Sequence, residues 1–255
     1  MRWLFELAWL FIRLNTRRTM MVFVGLVQPL FTVWLYALNQ PPALSLPEGF
    51  WFILVNAGLV NSWTILVFSA LSEVDRDRWT GLLGQYLSMP TPLIEIMTIR
   101  TLANFLFVCI SLAVTALLAF FVIRPEAGML LSPVWGWLLL AMLAITLIAV
   151  LFSMVVAMTL RGRVIMNFID YPVVFVSALG FSATLFPDIM ARFALCLPQG
   201  FLAEMARFTA GISPVSPAEL VWWPTPVLTG FGLVCLAATL LRLMQRRLLT
   251  RGTLA

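Results

Sequence analysis

The 255-residue chain contains no histidine and no lysine, and only 11% of its residues are charged. Without histidine it lacks the commonest metal and haem ligand and the usual imidazole proton carrier. Without lysine it cannot form the Gly-x-x-x-x-Gly-Lys-Ser/Thr phosphate loop, so it is not the ATP-hydrolysing part of any machine that uses one. The three cysteines, Cys109, Cys196 and Cys235, are odd in number and widely separated, which fits neither a zinc spacing nor a disulfide framework. They read as small apolar residues. No Asp pair at catalytic spacing and no serine with a nearby base stands out, which weighs against a membrane-embedded enzyme. The scarcity of charge also excludes an ordinary soluble domain, in which about 25% of residues are charged.

What remains is 62% hydrophobic and falls into six stretches free of Asp, Glu and Arg. They run Thr19–Pro47, Gly49–Ser72, Thr101–Ile123, Ala127–Leu160, Tyr171–Pro187 and Leu220–Leu241. A helix needs about 20 apolar residues to cross a bilayer. Each stretch is near or above that length, the short fifth one by borrowing Asn167 to Asp170. The expectation is an all-α integral membrane protein of six spans, with both termini on one side and no room for a soluble catalytic domain.

All sixteen basic residues are arginine, and they sit at the ends of the apolar stretches. With the amino terminus inside, thirteen lie on the cytoplasmic side and only Arg124, Arg192 and Arg207 outside. That bias places both termini in the cytoplasm. It also explains the net charge of +5 as topology, with no nucleic-acid partner implied.

Residues 1–18 place Arg2, Glu6, Arg13 and Arg17 on one helical stripe opposite Leu, Phe and Ile, the pattern of an amphipathic helix lying in the cytoplasmic interface. Glu6 interrupts the apolar run and no small-residue cleavage site follows, so a signal peptide is not expected. The alternative is an inward extension of the first span. The membrane domain then covers 19–243 and a basic cytoplasmic tail 244–255. Within it, residues 187–219 predict two short helices on the outer face, Asp188–Leu197 and Gln199–Ala210, partly re-entrant, split by Pro198 and closed by Gly211. Glu204 and Arg207 are spaced as an i,i+3 pair in the second of them.

Polar residues inside spans either face water or hold helices together. The second span offers Asn61, Thr64 and Ser69, and the fifth offers Ser177 and Thr184. Asp170 is placed to meet Arg161 or Arg163 across the turn between the fourth and fifth spans. Glu95 and Arg100, five apart, do not face each other, so each is expected to reach the interface or another element. Gln28 and Pro29 predict a local kink in the first span.

Between the second and third spans, residues 73–92 begin with five charges in six residues, continue as a short apolar helix and end at Pro90 and Pro92. As composition alone this could be a solvated connector. The order of residues resembles the cytoplasmic loop of ABC type-2 transporter permeases: Glu73, Asp75, Arg76 and Arg78 stand as the charged lead-in, and Gly81, Leu83, Tyr86, Leu87 and Pro90 match the motif that follows. Leu82, Gly84 and Tyr86 stand where that family usually has Thr, Glu and an aliphatic residue. Phe186-Pro187, Leu197-Pro198-Gln199-Gly200 and the tail Arg246 to Gly252 are similar to its later segments, so the likeness runs along the whole chain.

The resemblance implies an exporter permease of the bacterial inner membrane that pairs with a second permease copy, identical or not, in contact with membrane lipid. It also implies a separate cytoplasmic ABC ATPase that would hold the ATP and magnesium, this chain holding no cofactor. The loop would act as a coupling helix, with Trp79, Leu82, Leu83, Tyr86 and Leu87 as its anchor. The second and fifth spans would line the path, making Asn61, Thr64, Ser69, Ser177 and Thr184 candidates. The substrate expected is hydrophobic or amphipathic, such as a drug, a lipid or a lipid-linked glycan. Rival readings are a haem-export or cytochrome-maturation permease, a membrane-embedded enzyme and a non-transporting scaffold subunit.

Overall fold

A peptide group in hydrocarbon must find its hydrogen bond within its own segment, and a helix does this for nearly every residue. The computed structural model describes residues 2–16, 19–82, 85–86, 93–125, 132–158 and 172–251, and every regular element among them is helical. In chain order these are α1 (Arg2–Thr16), α2 (Thr19–Val22), α3 (Gln28–Leu38), α4 (Leu46–Trp63), α5 (Ser69–Trp79), α6 (Leu93–Ile123) and α7 (Val134–Met158). They are followed by α8 (Asp188–Cys196), α9 (Pro198–Thr209), α10 (Pro217–Leu220) and α11 (Pro224–Arg251).

Among the described residues three helices are long and apolar enough to cross a membrane: Leu46–Trp79, Glu95–Ile123 and Val134–Ala157. Apolar side chains such as Phe31, Trp34, Leu106, Phe121, Leu147 and Phe231 point outward on the bundle, as they would against lipid. The first and sixth expected spans are helices whose apolar parts, Phe23–Leu38 and Pro224–Leu236, are shorter than the other three. The last helix, α11, continues through Arg251 and so takes in residues 244–251 of the expected tail.

The fifth stretch departs most from expectation. Its described part is α-helical only over residues 172–176, with a short 3₁₀ turn at Ala183–Leu185. Ala178 then takes a left-handed conformation, φ 51°, while the Leu179 N–H bonds back to the Val174 carbonyl at 3.3 Å, a helix-ending turn that normally uses glycine. What holds alanine there is the use made of the next carbonyls. Leu179 O accepts from Arg207 Nη2 at 2.7 Å and Gly180 O accepts from the Tyr36 hydroxyl at 2.7 Å. A Cβ at Gly180 would lie 2.7 Å from that hydroxyl, so glycine is needed for the approach.

The helix Leu46–Trp79 is the centre of the bundle, 78% buried along its apolar window against 28% for Glu95–Ile123. It starts at a capping box in which the Ser45 N–H donates to Glu48 Oε2 at 2.8 Å, with Pro47 in the first turn. Around it pack α3, α6 and α7, while α9 and α11 lie against α7 and α1 lies against α6.

Both the first and second apolar stretches are interrupted by a π segment, Phe23–Val27 between α2 and α3 and Thr64–Phe68 between α4 and α5. The first has a plain cause. Pro29 has no N–H and its ring crowds the carbonyl four residues earlier, so the preceding turn widens and the Gln28 N–H bonds to Phe23 O. The kink expected at Gln28 and Pro29 takes this form. The two segments are joined, because Gln28 Nε2 donates to Thr64 Oγ1 at 3.2 Å.

Candidate functional site

The polar groups of the central helix form a ladder of internal bonds with a buried ionic cluster at each end. Near the amino-terminal end of the central helix, Arg207 of α9 is wholly buried. Its guanidinium donates to Asn56 Oδ1 at 2.9 Å, to Glu204 Oε2 at 3.0 Å and to the Leu179 carbonyl. Glu204 in turn accepts from the Ser182 hydroxyl at 2.5 Å and the Ala183 N–H at 3.0 Å. The expected i,i+3 pair is thus the hub that ties α9 and residues 179–183 to α4.

Burial drives the Glu204 carboxyl upward, but Arg207, the Ser182 hydroxyl and the Ala183 N–H outweigh it and hold the group below the usual value of 4.5. A carboxyl whose folded value is depressed stabilises the fold fully above its unfolded value and loses that contribution as pH falls through the folded one. The unfolding midpoint in detergent is therefore expected to fall below about pH 4.5 with a steeper slope in the wild type than in Glu204→Gln. Parallel slopes would show that the pair is not what acid breaks.

In the middle of the ladder, Asn61 Nδ2 donates to Thr32 Oγ1 at 3.0 Å and to Thr115 Oγ1 at 3.4 Å. Thr64 receives Gln28 and donates to its own Val60 carbonyl at 3.1 Å. Ser69 reaches Met21 Sδ at 3.0 Å and Ser177 bonds its own Val173 carbonyl at 2.5 Å. All five candidate lining residues make bonds within the chain, four of them within or between the helices. The fifth, Thr184, is exposed in a short 3₁₀ turn and shares a hydrogen bond with Ser182.

At the carboxyl end of the central helix, the charges expected in a loop lie in the last two turns of α5, because the helix continues to Trp79. Glu73 and Asp77 are one turn apart on one face, and Arg100 of α6 meets both, Glu73 Oε2 at 3.2 Å and Asp77 Oδ2 at 2.5 Å. All three are nearly inaccessible, so these charges pair inside the chain instead of pointing outward. Arg100 also donates to the Tyr86 hydroxyl at 3.3 Å and lies 4.8 Å from the centre of the Phe11 ring on α1. Arg78 Nη2 donates to the Val156 and Ala157 carbonyls at 2.8 and 3.0 Å, closing the carboxyl end of α7 where the helix dipole favours a cation. Asp75 is buried as well, whereas Arg76 is largely exposed and reaches Asp77 Oδ1 at 3.8 Å.

The helix stops at Gly81, whose φ of 75° only glycine adopts without strain, with Thr80 and Gly81 N–H bonding back to Arg76 and Arg78 carbonyls. Trp79 stands 75% exposed just before that turn. Leu83, Leu87 and Pro90 of the coupling set lie outside the described residues, as do Asp170, Arg161 and Arg163. Among the described residues no three His, Cys, Asp or Glu side chains gather as metal ligands would.

No family model, no curated protein and no solved structure matches the chain.

Residues that spacing did not single out complete both clusters. Tyr36, Leu179 and Ser182 join the Arg207 cluster through carbonyl and hydroxyl contacts distant in sequence, and Phe11 joins the other across 89 positions from Arg100. The one local signal available was Arg207 itself, a cation in a helix whose neighbours Ala203 and Ala206 are fully buried.

Proposed function

We propose that the chain is the permease subunit of an ATP-driven transporter of the ABC type-2 kind, working as a dimer in the bacterial inner membrane with both termini cytoplasmic. A separate ATPase binds the tip from Trp79 to Pro92. The observation that carries this reading is mechanical. An exposed tryptophan stands at the end of the central helix, and the two turns behind it are clamped by Arg100 to α6 and by Arg78 to the end of α7. A partner that pushes on such a tip moves three membrane helices together, which is what coupling to an external motor requires.

In this reading Glu73 and Asp77 are joints, Tyr86 ties the tip to Arg100, and Arg76 and Trp79 face the partner side. The cargo is hydrophobic or amphipathic and leaves the cell by alternating access. Hydrolysis of ATP belongs to the partner, and this chain performs no catalysis.

The test is co-expression with candidate ABC ATPases, followed by purification and measurement of binding and ATP turnover in nanodiscs. Removing an aromatic anchor from an interface costs about 2 kcal/mol or more, a factor of about 30 in affinity. Trp79→Ala is expected to weaken ATPase binding by that factor while the unfolding midpoint stays put. Undiminished binding would remove Trp79 from the interface and the reading with it.

A further inference from the structure

The first helix has two apolar faces, and the chain covers one of them. Phe11 of α1 is buried and Ile12 partly so, both packed in one cluster with Ile96, Ile99 and Ala103 of α6. At about 100° of turn per residue, Leu10 and Leu14 lie on the adjacent face, and both are exposed. Beyond them, Arg13 and Trp9 are exposed as well. A helix of 15 residues is marginal on its own in water, so the second face also needs a cover.

The place of α1 on the bundle names that cover. It lies on α6 between Ile96 and Ala103, while Leu102 and Leu106 of the same span point outward. Lipid that covers Leu102 reaches the level at which Phe11 packs, so α1 lies where α6 enters the bilayer. Leu10 and Leu14 are then available to acyl chains, and Arg13 to headgroups. Residues 1–18 carry four arginines against one glutamate, so the headgroups that fit are anionic. The covered face leads to the Arg100 clamp. The Phe11 ring lies 4.8 Å from the Arg100 guanidinium, which pairs with Glu73 and Asp77. A ring placed over a desolvated cation attracts it and keeps water from the ion pairs beside it.

We propose that α1 binds an anionic phospholipid surface and that this binding holds Phe11 on Arg100, so the headgroups set how firmly the end of α5 is clamped to α6. The inference rests on the chain lying in a membrane. It is independent of the permease reading and needs no ATPase.

The experiment is amide hydrogen exchange, read by mass spectrometry, on the full chain in nanodiscs of phosphatidylcholine alone or of equal parts phosphatidylcholine and phosphatidylglycerol. An arginine near an anionic surface contributes a factor of about five in binding. Exchange across Arg2–Thr16 is therefore expected to be at least about fivefold slower in the anionic discs, and exchange of residues 73–79 to slow with it. Arg13→Gln should lose about a factor of five of the difference at α1. In Phe11→Ala the anionic lipid should still slow exchange in α1, while residues 73–79 no longer respond. Equal exchange of α1 in the two discs would overturn the lipid surface. A response of residues 73–79 that is absent in the wild type, or that survives in Phe11→Ala, would overturn its link to the clamp. The wild-type comparison decides both points even where a variant does not fold.

Discussion

Arg207→Met is expected to lower the unfolding free energy by about 3–5 kcal/mol, the usual consequence of removing one partner from a buried ion pair. Methionine has comparable length, so the loss is not one of volume. It strands Glu204, Asn56 Oδ1 and the Leu179 carbonyl, which now take three separate guanidinium nitrogens. Arg207→Lys keeps the charge but offers a compact ammonium in place of a planar fork, and should fall between the two. The measurement is reversible unfolding in mild detergent followed by circular dichroism. Adding Glu204→Gln to Arg207→Met should restore part of the loss, because the charge left behind is what makes the single variant severe. Full additivity of the two changes would show that the groups do not interact.

A loss of the same order, about 3–5 kcal/mol, is expected for Arg100→Met. Here two carboxylates, Glu73 and Asp77, both meet one buried guanidinium. The triple variant Arg100→Met, Glu73→Gln, Asp77→Asn removes all three charges and should be more stable than Arg100→Met alone. If the proposed function is right, a second effect separates this cluster from the Arg207 cluster. A triple variant that folds would have lost the clamp between α5 and α6, so ATP turnover by the partner should continue with transport reduced. Transport at the wild-type rate in that variant would show that the clamp serves stability alone.

How far these features were readable in the sequence depended on the distance between the groups involved. Helices α8 and α9 appear within a residue or two of their expected ends, because Pro198 and Gly211 mark them and these signals act locally. Glu204 and Arg207 were visible for the same reason, being one turn apart. The break at Ala178 was not, since the residue in the left-handed position is alanine and the stabilising contacts come from Tyr36 and Arg207, far along the chain. Glu73 and Asp77 read as exposed because a dense run of charge normally faces solvent. Only the fold brings Arg100 opposite them. Asn61 and Thr64 illustrate a different limit: polar residues on one side of a span look the same whether they line a path or bond to Thr32, Thr115 and Gln28.

The paired π segments have a consequence for rotational phase. Each wide turn stores a surplus residue, and the one at Thr64–Phe68 lies between Asn56, which meets Arg207, and Glu73, which meets Arg100. Straightening that turn into a regular α-helix would swing everything beyond it by about 100° about the axis. Glu73 and Asp77 would then face away from Arg100 while Asn56 stayed in place. The stored residue is thus a phase setting that lets a single rod present the correct face at both ends, and a dislocation of this kind can move along a helix without undoing the rest of its ladder.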